Sequence, residues 1–276
     1  AYNVEKSIEE VIKGILNLQP KPEEIIIIND GSTDSTLEIL NKYKDDIKIF
    51  DLPKNMGIGY GRNLAIKESK NNFVATLDSD VVPDKKWLLN MYNSMIKNKS
   101  HLCGGFLIEK YLKANRYNYW RTIHIMHRFK EKIIPDVQSF ITGSNMLLNK
   151  SAWIRVGGYD EQFRSNGEDV HFCIKLRANG FKISYDSEAY CYHLQNDNLQ
   201  SLLNRCWRYY VSGTGLKKPT YKRLILRSIK HFRYCLINSF KDLINLRFSI
   251  IDINFRVLFN YIKMEYRSCK NGEIKF

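Results

Sequence analysis

The sequence predicts an α/β fold: a doubly wound mixed sheet flanked by helices, with a basic α-helical appendage at its C-terminal end. Three observations predict it. Short apolar, β-branched runs alternate with stretches of helical spacing over the first 100 residues. The runs end in turns rich in acids and glycines. Past Arg205 the texture changes to Lys and Arg interleaved with aromatics, Leu and Ile. With 276 residues and 44% hydrophobic content the chain can bury a large core, so a largely disordered protein is excluded.

The first helix is read from Val4, Ile8, Val11, Ile12, Ile15 and Leu18, which recur at helical intervals. The run Ile25–Ile28 is wholly apolar and predicts a strand covered on both faces, as in a parallel sheet. It ends in Asn29-Asp30-Gly31-Ser32-Thr33-Asp34, a turn of helix-capping residues, and a helical pattern follows through Leu37, Ile39 and Leu40. A strand at Ile47–Leu52 leads to Gly57-Ile58-Gly59-Tyr60-Gly61 and a helix reaching Ser69. A third strand, Phe73–Leu77, stops on Asp78-Ser79-Asp80. The middle of the chain predicts strands at Val137–Ile141 and Met146–Leu148, then a helix opened by Asn166-Gly167-Glu168-Asp169 and closed by Gly180. Strands at Phe181–Tyr185 and Ala189–Tyr192 follow, the latter meeting His193. Residues 1–204 read as the α/β domain and 205–276 as the basic amphipathic region, with Pro219 as its one clear breaker.

The formal net charge of +14 is localised. Residues 205–276 hold 16 Lys and Arg against 4 acids, whereas the first 204 residues are nearly neutral. Such an end implies an anionic partner, and its apolar and aromatic content points to a membrane surface. Packing of the apolar stripe on the α/β domain, with the charges solvated, is the other reading. Six widely spaced cysteines without a CxxC pair fit a reducing compartment. No run approaches 18 apolar residues and no signal peptide is seen, so the expected place is the cytoplasm or the inner face of a membrane.

Ligands of a doubly wound fold bind beyond the carboxyl ends of its strands, where Asp30 and Asp78-Ser79-Asp80 stand. Asp-x-Asp after a buried strand suits a hard divalent cation, Mn²⁺ or Mg²⁺, on a diphosphate; it also suits a turn that caps the next helix. Asp30 either accepts hydrogen bonds from a nucleobase or ribose or forms an Asx turn. Glu168-Asp169, ionised by a helix N-terminus, offers a general base or ordinary helix-start acids. His193 is a further candidate metal ligand. Arg62, after the glycine turn, reaches either a phosphate or a surface acid. The spacing Gly57-x-Gly59-x-Gly61 is one residue short of the dinucleotide fingerprint.

Taken in order, Ala1-Tyr2-Asn3, Ile28–Asp34, Asn55–Asn63, Leu77–Asp80, Gly143-Ser144-Asn145, Gly157–Glu161, Gly167-Glu168-Asp169 and His193 resemble the family 2 glycosyltransferases of the GT-A fold. The resemblance covers about residues 1–200. It implies transfer of a sugar from a nucleotide-sugar donor, by default a UDP-sugar, to a glycan or lipid-linked acceptor, with inversion. By the same resemblance Asp30 contacts the nucleobase with Tyr2 and Asn3 beside it, and Arg62 contacts the diphosphate. Asp78 and Ser79 belong to the donor site, Asp78 touching ribose and metal water, while Asp80 is the direct metal ligand; with His193, the candidate read from the residues, Asp80 and Asp78 make up the expected metal set. Asp169 is then the base and Glu168 shapes the acceptor site. Ala-Tyr-Asn follows a central first strand in that family, so residues upstream of Ala1 are expected in the natural protein. Asn204-Arg205-Cys206-Trp207-Arg208 departs from the Gln-x-x-Arg-Trp motif of processive members, which favours single-sugar transfer. The rival readings are a noncatalytic sugar-binding relative, a nucleotidyltransferase and a basic nucleic-acid-binding protein; no specific nucleic-acid motif supports the last.

Overall fold

The computed structural model describes residues 1–126, 140–213, 220–272 and 274. They form two compact units, Ala1–Lys110 with Lys130–Leu194, and Tyr111–Phe129 with Gln195–Phe276.

In the first unit, α1 (Ile8–Leu16) turns Ile8, Val11 and Ile12 inward and carries Glu9 and Glu10 in its first turn, where the helix dipole favours acids. β1 (Ile26–Asn29) continues into α2 (Thr36–Asn41), and β2 (Lys48–Asp51) pairs with β1 in parallel. Ile8, Ile12, Leu40 and Ile47 close a small core between these elements. On the other edge of β1 stands Ala1, whose ammonium donates to the Ile28 carbonyl at 2.7 Å and whose carbonyl accepts from the Asp30 amide at 2.8 Å. α3 (Ile58–Glu68) leads to β3 (Phe73–Leu77), followed by β4 (Val81–Pro83) and α4 (Trp87–Asn98). β5 (Leu102–Glu109) ends the first segment of this unit, and α5 (Arg116–Arg121) belongs to the second unit. The chain then adds β6 (Asn145–Asn149), α6 (Lys150–Arg155), α7 (Glu168–Ala178) and β7 (Ile183–His193).

Five of these strands build one mixed sheet in the order β3-β6-β5-β7-β4, in which β5 and β7 run parallel and the other pairs antiparallel. Its two faces bury separate cores, one around Ile66, Met146, Leu148 and Phe172, the other around Trp87, Met91, Cys103 and Leu147. Sheet and helices thus match the expected α/β class.

Three local expectations need correction. The strands expected at Phe181–Tyr185 and Ala189–Tyr192 are the single strand β7. A register shift against β5 opposite Gly105 and Phe106 takes up the polar stretch between them. That stretch is a bulge rather than a turn, so it interrupts the ladder without ending the strand. Glycine is required at 105, since a Cβ there would lie 2.0 Å from the Ala189 carbonyl oxygen. Second, the expected strand Val137–Ile141 falls partly outside the described residues, and Phe140-Ile141 are not in a strand. Third, the boundary drawn at 204/205 lies inside a helix, α8 (Leu199–Gly213).

The second unit packs α5 and the following π-helical turn Thr122–Met126 with α8, α9 (Tyr221–Ile244), the short 3₁₀ turn Phe248–Ile250 and α10 (Ile251–Asn271). Trp120, Leu202, Cys206, Ile250, Ile253 and Val257 form its core. Arg121 is buried against Asp197, and Asn115 caps α5 through the amides of Tyr117 and Asn118. Pro219 lies outside the described residues. All six cysteines are free.

Candidate active site

Asp78-Ser79-Asp80 form the tight link from β3 to β4. The Val81 amide donates to the Asp78 carbonyl at 3.1 Å, and the Asp80 carbonyl accepts from the Leu194 amide at 2.8 Å. Ser79 is held through its carbonyl, which accepts from the Ser7 hydroxyl at 2.9 Å. These backbone bonds leave the two aspartate side chains standing beyond the end of β3.

Arg62 is the hub of the site. It sits in the second turn of α3 rather than at the helix start, 9% exposed, which excludes a surface salt bridge. Its guanidinium donates to Asp78 Oδ1 at 2.7 Å and to Glu168 Oε1, bringing together residues 106 positions apart. Gly143 makes room for it: a Cβ at that position would stand 2.1 Å from Arg62 Nη1. The ring of Tyr159 lies 5.8 Å away. Burial and the Arg62 contact act oppositely on Glu168: the desolvation is larger and raises the pKa of the carboxyl, which is 2% exposed, with Asp169 pushing the same way. Its second oxygen, Oε2, is buried and has no hydrogen-bond partner among the described residues.

The protein around Asp78 is the strongest influence on that group and raises its pKa, opposed by Arg62 and assisted by the negative charges of Asp80 and Asp169. More than a third of the Asp78 side chain still meets solvent, which moderates the effect. Asp169 opens α7 next to Glu168. Its Oδ2 accepts from the Gly143 amide at 3.0 Å and its Oδ1 from the Val170 amide at 2.8 Å. Five sequence candidates, Arg62, Asp78, Asp80, Glu168 and Asp169, therefore share one electrostatic neighbourhood.

His193 ends β7 beside β4. Its Nε2 is 3.4 Å from Asp80 Oδ2, and its Nδ1 is 3.0 Å from Glu109 Oε1. Burial disfavours the imidazolium, but hydrogen bonds and charge from Asp80 and Glu109 prevail and lift its pKa to about 9. Glu109 was not among the sequence candidates. It is 8% exposed and faces His193 across the parallel β5–β7 register; only the strand pairing reveals it. Among the described residues no group of three acid, His or Cys side chains stands ready to hold a metal ion. Asp78 thus does not join Asp80 and His193 in a preformed triad; Arg62 engages it instead.

Asp30 is 8% exposed, and its two oxygens accept from the amides of Met56 and Gly57 at 2.6 and 3.0 Å. It does not cap α2. The N-cap position there is Ser35, which makes no side-chain cap bond, and Asp34 just before it accepts from the Thr36 amide at 3.1 Å. Asp30 instead clamps the turn before α3. Asn3, with φ 51°, bonds Thr33 and Ser32 in the neighbouring turn, and Tyr2 is about half exposed.

Residues 1–157 match the family model described as glycosyl transferase family 2. The chain belongs to that family. As a family 2 glycosyltransferase it is 29% identical over 228 residues to the poly-beta-1,6-N-acetyl-D-glucosamine synthase of Staphylococcus aureus strain COL, covering 77% of this chain and 52% of that protein. The protein of that name in Staphylococcus epidermidis is 28% identical over the same span. The chain spans about half the length of these curated relatives. Among solved structures it resembles S. aureus TarS 1–349 in complex with UDP-GlcNAc, with a TM-score of 0.57, 20% identity, and coverage of 77% of this chain and 64% of that one. It also resembles the mannosyltransferase PcManGT of Pyrobaculum calidifontis in complex with GDP-Man and Mn²⁺, with a TM-score of 0.56, 14% identity, and coverage of 75% and 59%. These likenesses establish the GT-A type fold, and the family establishes the class, against the nucleotidyltransferase and nucleic-acid alternatives.

Proposed function

We propose that this chain transfers a glycosyl group from a nucleotide-sugar, by default a UDP-sugar, to a hydroxyl of a glycan or lipid-linked acceptor, with inversion at the anomeric carbon. The observation that carries the reading is the clustering of four acids around one buried guanidinium in a family 2 chain: Asp78 and Glu168 on Arg62, with Asp80 and Asp169 beside them. The bound nucleotides in the TarS and PcManGT structures support a nucleotide-sugar donor.

In this reading Asp30 and Tyr2 flank the base, and Asn3 shapes the turn beneath them. Asp78 and Ser79 meet the ribose, while Arg62 sets the charge of the donor site through Asp78. Asp169 takes the proton from the acceptor hydroxyl as that oxygen attacks the anomeric carbon and the diphosphate leaves on the opposite side. A single base and one displacement invert the centre, and the base contributes about 10²–10⁴-fold in rate. Glu168 Oε2, buried and without a hydrogen-bond partner among the described residues, is suited to accept from an acceptor hydroxyl.

Asp80 and His193 would hold a divalent cation, with the proton on Nε2 of His193 displaced by the ion. A hard carboxylate oxygen and an imidazole nitrogen lie 3.4 Å apart, and Asp80 is about one-third exposed. Mg²⁺ and Mn²⁺ accept such a sparse protein set because phosphate and water complete their coordination. When bound, the ion supplies charge neutralisation to the leaving diphosphate. The proposed setting is the cytoplasmic face of a membrane, where lipid-linked acceptors and the basic residues 205–276 meet.

The test is a panel of nucleotide-sugars scored by thermal stabilisation and by hydrolysis, with and without Mn²⁺. Asp80→Ala should lose the Mn²⁺-dependent part of donor binding. Asp169→Asn should bind donor as before and turn over at least 100-fold more slowly. Normal turnover by Asp169→Asn refutes the base assignment, and donor binding without turnover in the unaltered chain favours a noncatalytic relative.

A further inference from the structure

α9 exposes an unusual amount of apolar surface for a helix packed in a folded unit. Ile225, Ile229, Phe232, Leu236, Phe240 and Leu243 are each between 47% and 63% exposed. At 100° per residue they fall within an arc of about 80° and run the length of the helix. Leu226, Ile237 and Ile244, also exposed, widen the arc on one side. The same side carries Lys222, Lys230, Arg233 and Lys241, all exposed. Among the residues of α9 the one acid is Asp242, and it is fully buried.

The buried side of the helix fixes the orientation. Asp242 Oδ2 accepts from Asn254 Nδ2 of α10 at 3.0 Å and pairs with His124 Nε2 at 2.9 Å, and Cys235 is buried on the same side. The helix therefore cannot roll its apolar stripe inward without tearing a buried polar anchor from its partners. Beyond it, Leu246 and Phe248 in the turn to α10 and Phe259 on α10 are exposed as well.

We infer that α9 lies flat on an anionic lipid surface, its Ile225–Leu243 stripe in the interfacial layer and its Lys and Arg border on the headgroups. Two features choose lipid over a protein partner. The exposed charge of α9 is of one sign, matched to an anionic bilayer. The apolar band is a long narrow stripe beside that charge, the pattern of helices that lie in the interface. With 24 residues and a length of about 36 Å the helix could reach across a bilayer. Its six Lys and Arg forbid that, and among the described residues no helix is apolar enough to cross. The inference deepens the proposed membrane setting and does not depend on the transfer chemistry.

The experiment uses the whole chain and sucrose-loaded vesicles, either phosphatidylcholine alone or with about one third phosphatidylglycerol. The unaltered chain should cosediment with the anionic vesicles and far less with the neutral ones. The triple variant Ile229→Ser, Phe232→Ser, Phe240→Ser should lose at least about tenfold in affinity while keeping its far-UV circular dichroism. Replacing Lys222, Lys230 and Arg233 with Gln should cost about fivefold per residue and flatten the salt dependence. Equal binding by the serine variant overturns the inference in favour of charge alone. Failure of the unaltered chain to bind either vesicle overturns it too, and a dimer in light scattering that the serine variant abolishes assigns the stripe to protein contact. UDP-dependent thermal stabilisation measured on the same samples keeps the transfer reading separate, because that signal should survive every one of these substitutions.

Discussion

At the residue scale the site turns on a glycine and an arginine. Gly143 lets the Arg62 guanidinium pass between Asp78 and Glu168, and no side chain with a Cβ fits there unless the arginine moves. Gly143→Ala should therefore lower stability by about 1–3 kcal/mol, read as a shift in the urea midpoint. An unchanged midpoint would refute the close approach. Much of this site was legible in the sequence. Asp78, Asp80, Glu168 and Asp169 could be found because each sits where a strand stops or a helix starts, and such ends carry turn and cap residues with recognisable composition. The partner of each could not. Arg62 reads as a phosphate arm from its place after a glycine turn, whereas its nitrogens serve acids 16 and 106 positions away. Local pattern carries no information about such distant pairings.

At the element scale the decisive feature is the β5–β7 ladder. Residue 109 stands opposite residue 193 because the register slips once, beside Gly105, and then holds to the end of both strands. The polar residues Asp186–Glu188 imitate a turn, so the sequence reads two strands where one bulged strand exists. Asp186 indeed accepts from the Glu188 amide at 2.9 Å, a local bond that the bulge shares with true turns. Gly105→Ala should force the Ala189 carbonyl away and disturb the register beyond it. The expected result is a lower melting temperature together with weaker Mn²⁺ stabilisation, since Glu109 and His193 lie past the slip. Gly104→Ala meets only the Ile141 side chain and should lower the melting temperature while sparing the metal response. Loss of the metal response in both variants would show that the register is not its cause.

At the scale of the molecule, charge and burial decide how stability responds to pH. His231, in the second unit, is kept from protonation first by burial and then by the nearby Lys230 and Arg227, which lower its pKa to about 4. The unfolded chain protonates this histidine near pH 6.5. Between those values the unfolded state binds the extra proton at this group, so the stability His231 contributes is fully retained above about pH 6.5 and falls as pH drops toward 4. The group is partly open to solvent, which reduces the effect to about 1–2 kcal/mol. From pH 7 to pH 5, denaturant melts of the unaltered chain should show about that much more loss of stability than those of His231→Gln. An equal pH response in the two proteins would reject the assignment. The basic excess beyond residue 205 was plain from composition, whereas the joining of 111–129 to that region was not, because helices meet there through contacts far apart in sequence.

Arg62 has a last consequence. One cation is shared by two carboxylates, so Asp78 and Glu168 compete for it. A ligand that draws Asp78 aside leaves the guanidinium to Glu168 alone and favours its ionised form. Reciprocity then demands that neutralising Glu168 tighten the hold on Asp78 by the same factor. Whatever occupies the place beside Asp78 is thus coupled to the charge on Glu168 through a single side chain.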